Sequence, residues 1–181
     1  WFLFPFFITD VLGRGVMIVG SMLAIVAGAS TLGSILGGWL ADRIGDRIVT
    51  AAGAGITALG LVWIAGLNAD STLPGIAMRV AVAGIGFGLH QAAVYSLAMR
   101  KARPEHAGAG SAVMAVAQTL GTPLSITLGM AVFTWRKDSA LDAGVLATDA
   151  FVGAFQDAYM AAAAVALLAG LVVISLRKTP A

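Results

Sequence analysis

The chain is built from long runs that carry no charge. Residues 15–41 form one such run of 27, residues 48–69 one of 22, and residues 107–135 one of 29. Residues 71–99 form another of 29, broken only by Arg79, and residues 158–176 one of 19. A helix needs about 20 predominantly apolar residues to cross the hydrocarbon of a bilayer. The pattern therefore predicts five full spans, at 17–40, 48–67, 74–98, 108–133 and 154–176. A half-span at 1–9, opening on Trp-Phe-Leu-Phe-Pro, reads as the last turns of a further helix, so the chain reads as a piece of a longer protein. The runs are too long for barrel strands and do not alternate as such strands do.

Polar residues are distributed unevenly over the spans. Span 48–67 offers only Thr50, Thr57 and Trp63, and span 154–176 carries Gln156, Asp157 and Tyr159 at its outer end before the run AAAAVALLAGLVVI. Both are expected to face lipid. Span 17–40 carries Ser30 and Thr31 near its middle, and span 74–98 carries Arg79, His90, Gln91 and Tyr95. Span 108–133 carries Ser111, Gln118, Thr122 and Ser125 at offsets that make one stripe. Lipid satisfies no polar group, so such a stripe should meet protein or a wet cavity. Candidate cavity residues are Ser30, His90, Gln91, Tyr95, Gln118 and Thr122. Plainer readings stand beside them. Hydroxyls can bond their own helix, Gln118 can bridge helices, and His90 can be a packing residue. Arg79 either snorkels to the nearby interface or pairs inside the bundle as an intramembrane charge. His90 is of the one side-chain type that titrates near neutral pH. The glycines Gly33, Gly37, Gly84, Gly86 and Gly88 suit close helix packing, and Pro123 should kink or loosen its span.

Composition agrees: 59% of residues are hydrophobic and 11% charged, where a soluble domain carries about 25% charged. A net charge of +2 without a basic stripe offers nothing to nucleic acid. Cysteine is absent, which excludes disulfides and thiolate metal sites. No loop holds His, Asp and Glu at catalytic or metal spacing, so no metal, no cofactor and no enzyme activity are expected. Lysine and arginine favour one set of connections, 41–47, 99–106 and the tail, by seven to three. The positive-inside rule then puts those connections and the C-terminus in the cytoplasm. The connection 134–153 becomes an exposed outer loop.

One connection stands apart. Gly37–Gly53 reads GGWLADRIGDRIVTAAG and packs Asp42, Arg43, Asp46 and Arg47 into six residues. Gly38, Asp42, Arg43, Gly45 and Arg47 resemble the G-x-x-x-D-R-x-G-R-[RK] loop of the major facilitator superfamily, with Asp46 where that family usually has a basic residue. RVAVAGIGFG from Arg79 and the segment from Arg103 to Ser125 are similar to further stretches of the same family. AFQDAYMAAAAVALLAG resembles the last helix of the EmrB/QacA-type drug:proton antiporters.

The resemblance implies an all-α membrane bundle, the C-terminal six-helix half of a major facilitator fold with its first helix cut short. It implies a secondary transporter working by alternating access, driven by a proton gradient and exporting amphipathic organic compounds. The partners would be a small-molecule substrate, the lipid bilayer and a missing N-terminal half, in a bacterial inner membrane. The charged turn would act as a conformational latch. Asp42 would meet the N-terminus of span 108–133, and Arg43 and Arg47 would pair with Glu105 or Asp46. A symporter or uniporter for sugars, organic acids or nutrients is the alternative, and a truncated, non-transporting membrane scaffold is another.

Overall fold

The computed structural model describes residues 1–101 and 107–175. A short helical turn, α1 (Phe4–Phe6), runs into a π-helical turn at Phe7–Val11. Five long helices follow: α2 (Val16–Ile44), α3 (Asp46–Ala65), α4 (Leu73–Lys101), α5 (Ala107–Asp142) and α6 (Ala147–Ser175). All five are long and apolar enough to span a membrane. Among the described residues there is no strand.

Local chemistry sets the helix ends. Gly45 closes α2 and opens α3 at φ +94° and ψ 141°, a backbone region almost reserved for glycine. A Gly45→Ala protein is expected to lose about 1–3 kcal/mol of stability. Gly38→Ala, whose new methyl would meet nothing within 4 Å, should melt like the parent in a thermal unfolding assay. The Thr72 hydroxyl accepts from the Gly75 N–H at 3.4 Å and caps α4, with Pro74 in its first turn. Gly144, at φ +80°, makes the turn between α5 and α6.

The helices pack in the order α2, α4, α3, α6, α5, each against the next. Glycine sets the spacing in the first three. Gly84 and Gly88 are four residues apart on one face of α4 and meet Val26 and Ser30 of α2; Gly86, on the opposite face, meets Ile56 and Thr57 of α3. From the other side, a Cβ on Gly37 would stand 2.9 Å from the Leu89 Cα, and one on Gly60 would stand 2.6 Å from the Ala83 Cα. The alternation Gly-Ile-Gly-Phe-Gly is thus the signature of a helix clamped on two sides. It leaves backbone against backbone, as small residues permit in a membrane. At the end away from the charged turn, Phe4, Phe7 and Ile8 fill the core between Val19, Ile64, Val80, Phe133 and Phe155. The Phe7 and Phe155 rings stack at 4.7 Å.

Two expectations change. Span 48–67 is not a lipid-facing helix on most of its surface. Val49, Gly53, Ala54, Ala58, Gly60 and Ile64 of α3 are buried against α4 and α6, and only a stripe through Ile48, Ala52, Leu59, Val62 and Trp63 is exposed. Its lack of polar residues reflects small-residue packing. The 134–153 connection is mostly helix, since α5 continues to Asp142 and α6 begins at Ala147. With 36 residues, α5 is about 54 Å long at 1.5 Å per residue, against a hydrocarbon core of about 30 Å. The apolar run ends near Phe133, but no helix breaker follows before Gly144. Arg136 pairs with Asp157 to tie this extension to α6.

Candidate functional site

A groove of about 420 Å³ opens between α4 and α5, which otherwise barely touch. His90, Gln91 and Tyr95 line it from α4, with Phe87 and Val94; Gln118 and Thr122 line it from α5, with Met114, Gly121 and Ser125. The structure therefore gathers five of the six candidate cavity residues. No charged side chain lines it among the described residues.

The polar groups of the groove are not equally available. The Thr122 hydroxyl donates to the Gln118 carbonyl at 2.9 Å, and the Ser125 hydroxyl to the Thr122 carbonyl at 2.8 Å. These hydroxyls are satisfied by their own helix, and each keeps an acceptor lone pair for a ligand. The His90 ring crosses to α3, where Nδ1 lies 3.1 Å from the Thr50 carbonyl oxygen. A carbonyl only accepts, so Nδ1 carries the proton. In the neutral ring Nε2 is then the acceptor. The close approach of α3 makes this bond possible: a Cβ on Gly53 would stand 2.5 Å from the His90 backbone nitrogen.

Ser30 stands apart from the groove. It sits on α2 with its hydroxyl on the Ala27 carbonyl, as does that of Thr31. Ser34 is the α2 hydroxyl that reaches another helix among the described residues, donating to the Gly88 carbonyl at 3.3 Å. Arg79 is not a cavity charge either. Its Nη1 donates to the Trp63 carbonyl at 3.1 Å, and its guanidinium lies 5.7 Å from the Trp63 ring. It caps the C-terminal turn of α3, where carbonyls lack helical partners and the dipole favours a cation. Arg79 and His90 do share a face of α4, as their spacing implies, and that face looks at α3.

The charged turn at the opposite end is arranged differently from expectation. Arg100, near the end of α4, donates from Nη2 to Asp42, and its Nε lies 3.3 Å from Asp46 Oδ2. Among the described residues Asp42 pairs with α4. Arg43 lies over the Trp39 ring at 4.0 Å and pairs with no carboxylate among the described residues. Glu105, its other expected partner, falls outside the described residues. Arg47 is half-buried, and its Nη2 has no partner among the described residues. Of the turn's glycines, Gly45 is required by its backbone and Gly38 touches nothing. Arg100 was legible only as a loop charge, because its partners Asp42 and Asp46 lie far back in the chain, Asp42 by 58 residues.

A five-helix membrane bundle with an uncharged groove on one side and a helix-linking charged turn at one end has the build of part of a transporter. The chain belongs to the Major Facilitator Superfamily, whose profile matches residues 1–126. That is a superfamily of transporters and not of enzymes, which agrees with the reading of the sequence. The chain is similar to the triacylglyceride transporter of Mycolicibacterium hassiacum, with 38% identity over 108 residues covering 54% of this chain and 20% of that protein. It is similar to the triacylglyceride transporter of Mycobacteroides abscessus, with 34% identity over 137 residues covering 67% of this chain and 26% of that protein. It also resembles the triacylglyceride transporter of Mycobacterium tuberculosis strain H37Rv, at 34% identity over 109 residues, covering 54% of this chain and 21% of that protein. The match thus spans between a fifth and about a quarter of the length of these relatives. They lend nothing specific to the drug:proton antiporter resemblance.

Proposed function

We propose that this chain is the C-terminal helical half of a secondary transporter that moves uncharged, strongly apolar molecules bearing a few hydrogen-bonding groups. The observation that carries this reading is the lining of the α4–α5 groove, which combines apolar walls with amide, hydroxyl and imidazole groups and no charge. Burying a charged substrate against such walls would leave its charge unpaired at a cost of several kcal/mol. An acylated neutral lipid suits this lining, and the names of the relatives point the same way. Export of amphipathic drugs is the second reading, because the same walls would take any uncharged amphipath.

In the mechanism we favour, substrate enters near the midplane between two helical halves, which rock around it. The α2–α4–α3 unit moves as one body, since its glycine contacts leave no slack. The charged turn faces the cytoplasm and joins α2, α3 and α4 in one state of the cycle. A proton gradient supplies the energy, and no cofactor takes part.

The test is reconstitution of the full-length transporter in proteoliposomes. A fluorescent triacylglyceride should exchange faster than in empty vesicles, and faster still with a proton gradient. Exchange of a cationic dye but not of the lipid would overturn the neutral-lipid reading. A Gln118→Leu, Thr122→Val protein should fold normally, since both side chains are exposed on α5, and should transport about two- to tenfold more slowly. His90→Ala should flatten the pH dependence of transport if proton coupling passes through the ring, and unaltered pH dependence removes His90 from that role.

A further inference from the structure

A second groove, of about 590 Å³, lies at the charged-turn end of the bundle between α3 and α6. Its lining is Arg47, Ile48, Ala51, Ala52 and Ile174. We propose that this groove binds one anionic phospholipid, with the phosphate on Arg47 and an acyl chain along the apolar wall. The site is separate from the α4–α5 groove and shares no residue with it.

Three features lead to this ligand. Arg47 Nη2 is a buried donor with no partner among the described residues. A buried donor left unpaired costs about 1–3 kcal/mol, and more when the group is charged; Arg47 is half-buried and lines the groove, so a shift of its side chain brings this donor to an acceptor bound there. The sign selects an anion, and the planar fork of a guanidinium matches the oxygens of a phosphate. The competing carboxylate of Asp46 is held by Arg100, 3.3 Å away on the α4 side.

The remaining surface selects a lipid over a free ion. Ile48 is 60% exposed and Ile174 is 62% exposed, and both lie on the outer faces of spanning helices. In a bilayer those faces meet acyl chains. A cation at the end of two such helices, above an apolar wall, is the arrangement by which basic pockets between membrane helices hold anionic headgroups. In the sequence, α6 leads on into Arg177 and Lys178, of the same sign.

The test is native mass spectrometry of the full-length protein in mild detergent, with phosphatidylglycerol, phosphatidylcholine or inorganic phosphate added. The parent protein should retain phosphatidylglycerol in preference to phosphatidylcholine. Arg47→Gln should lower that retention by about tenfold, the loss of one charge-assisted hydrogen bond. Ala52→Trp should lower it similarly by filling the groove with the charge intact. Arg43→Gln, which removes an equal charge from the Trp39 ring, should leave it unchanged. If Arg47→Gln fails to fold, Ala52→Trp decides. The proposal is overturned if both variants bind like the parent, if Arg43→Gln loses lipid equally, or if inorganic phosphate displaces the lipid at equal concentration. None of these results depends on what the transporter carries.

Discussion

Gly88→Ala should abolish most of the folded protein. The added methyl would overlap the Ser30 carbonyl oxygen and stand 2.8 Å from the Ser34 backbone nitrogen. Neither atom belongs to a side chain that can swing away, so α2 and α4 must separate along their shared length. Separation also breaks the Ser34 bond to the Gly88 carbonyl and opens the contacts of Gly33 and Gly37 with Ile85 and Leu89. Overpacking a core costs typically about 1–3 kcal/mol, and a clash between two backbones belongs at or above the top of that range. The measurement is the folded fraction after a heat step, read by size exclusion of the detergent-solubilised full-length protein. Gly55→Ala, whose methyl would meet nothing within 4 Å on the neighbouring helix, should be as stable as the parent. A Gly88→Ala protein that melts with the parent would mean that α2 and α4 do not cross as closely as described.

The same contacts explain what the sequence could and could not tell. Glycines two residues apart announced packing, but not that α4 was the helix clamped on both sides. That depends on which helices flank it. Charge-free runs marked all five spans, because the bilayer imposes a length that composition must honour. Hydropathy said nothing about α5 beyond Phe133, where a helix leaves lipid without ceasing to be a helix. It misjudged α3, because a span without polar residues is equally suited to lipid and to a close-packed interior; Gly53, Ala54, Ala58 and Gly60 were the distinguishing signal. The polar residues now found along the α4–α5 groove stood out for their rarity inside spans. Phe87, Val94 and Met114 did not, since an apolar residue is unremarked in a membrane helix. They follow only once His90, Gln91 and Gln118 are placed and the neighbouring turns are read from them. Arg100 escaped because the chain alone does not say which acids face it: Asp42 and Asp46 are brought to it by the α2–α3–α4 packing.

Arg100→Gln should have a larger effect than Asp42→Asn, and Asp46→Asn should partly reverse it. The two acids look alike in the sequence but not in the fold. The Asp42 side chain is 71% exposed and that of Arg100 is 56% exposed. Such a pair is worth at most about 1 kcal/mol and weakens with salt. The Asp46 side chain is 10% exposed, and its Oδ1 has no partner among the described residues. Removing the guanidinium leaves this nearly buried carboxylate with only the α3 dipole to hold it. A fully buried charge stripped of its partner costs about 3–5 kcal/mol; with Arg100 half in solvent, about 1–3 kcal/mol is expected here. Asp46→Asn in the Arg100→Gln background removes the stranded charge, so the double variant should be more stable than Arg100→Gln alone. If the turn is a latch, the same ranking should govern the populations of the two access states, measured as distances between the helical halves of the full-length protein in nanodiscs. Arg100→Gln should deplete the state in which α2, α3 and α4 are joined, Asp42→Asn should do so only at low salt, and the double variant should recover part of the loss. Equal, salt-sensitive effects from Arg100→Gln and Asp42→Asn would reduce the turn to a solvated surface pair. The position where the family usually carries a basic residue would then have no part in holding the three helices together.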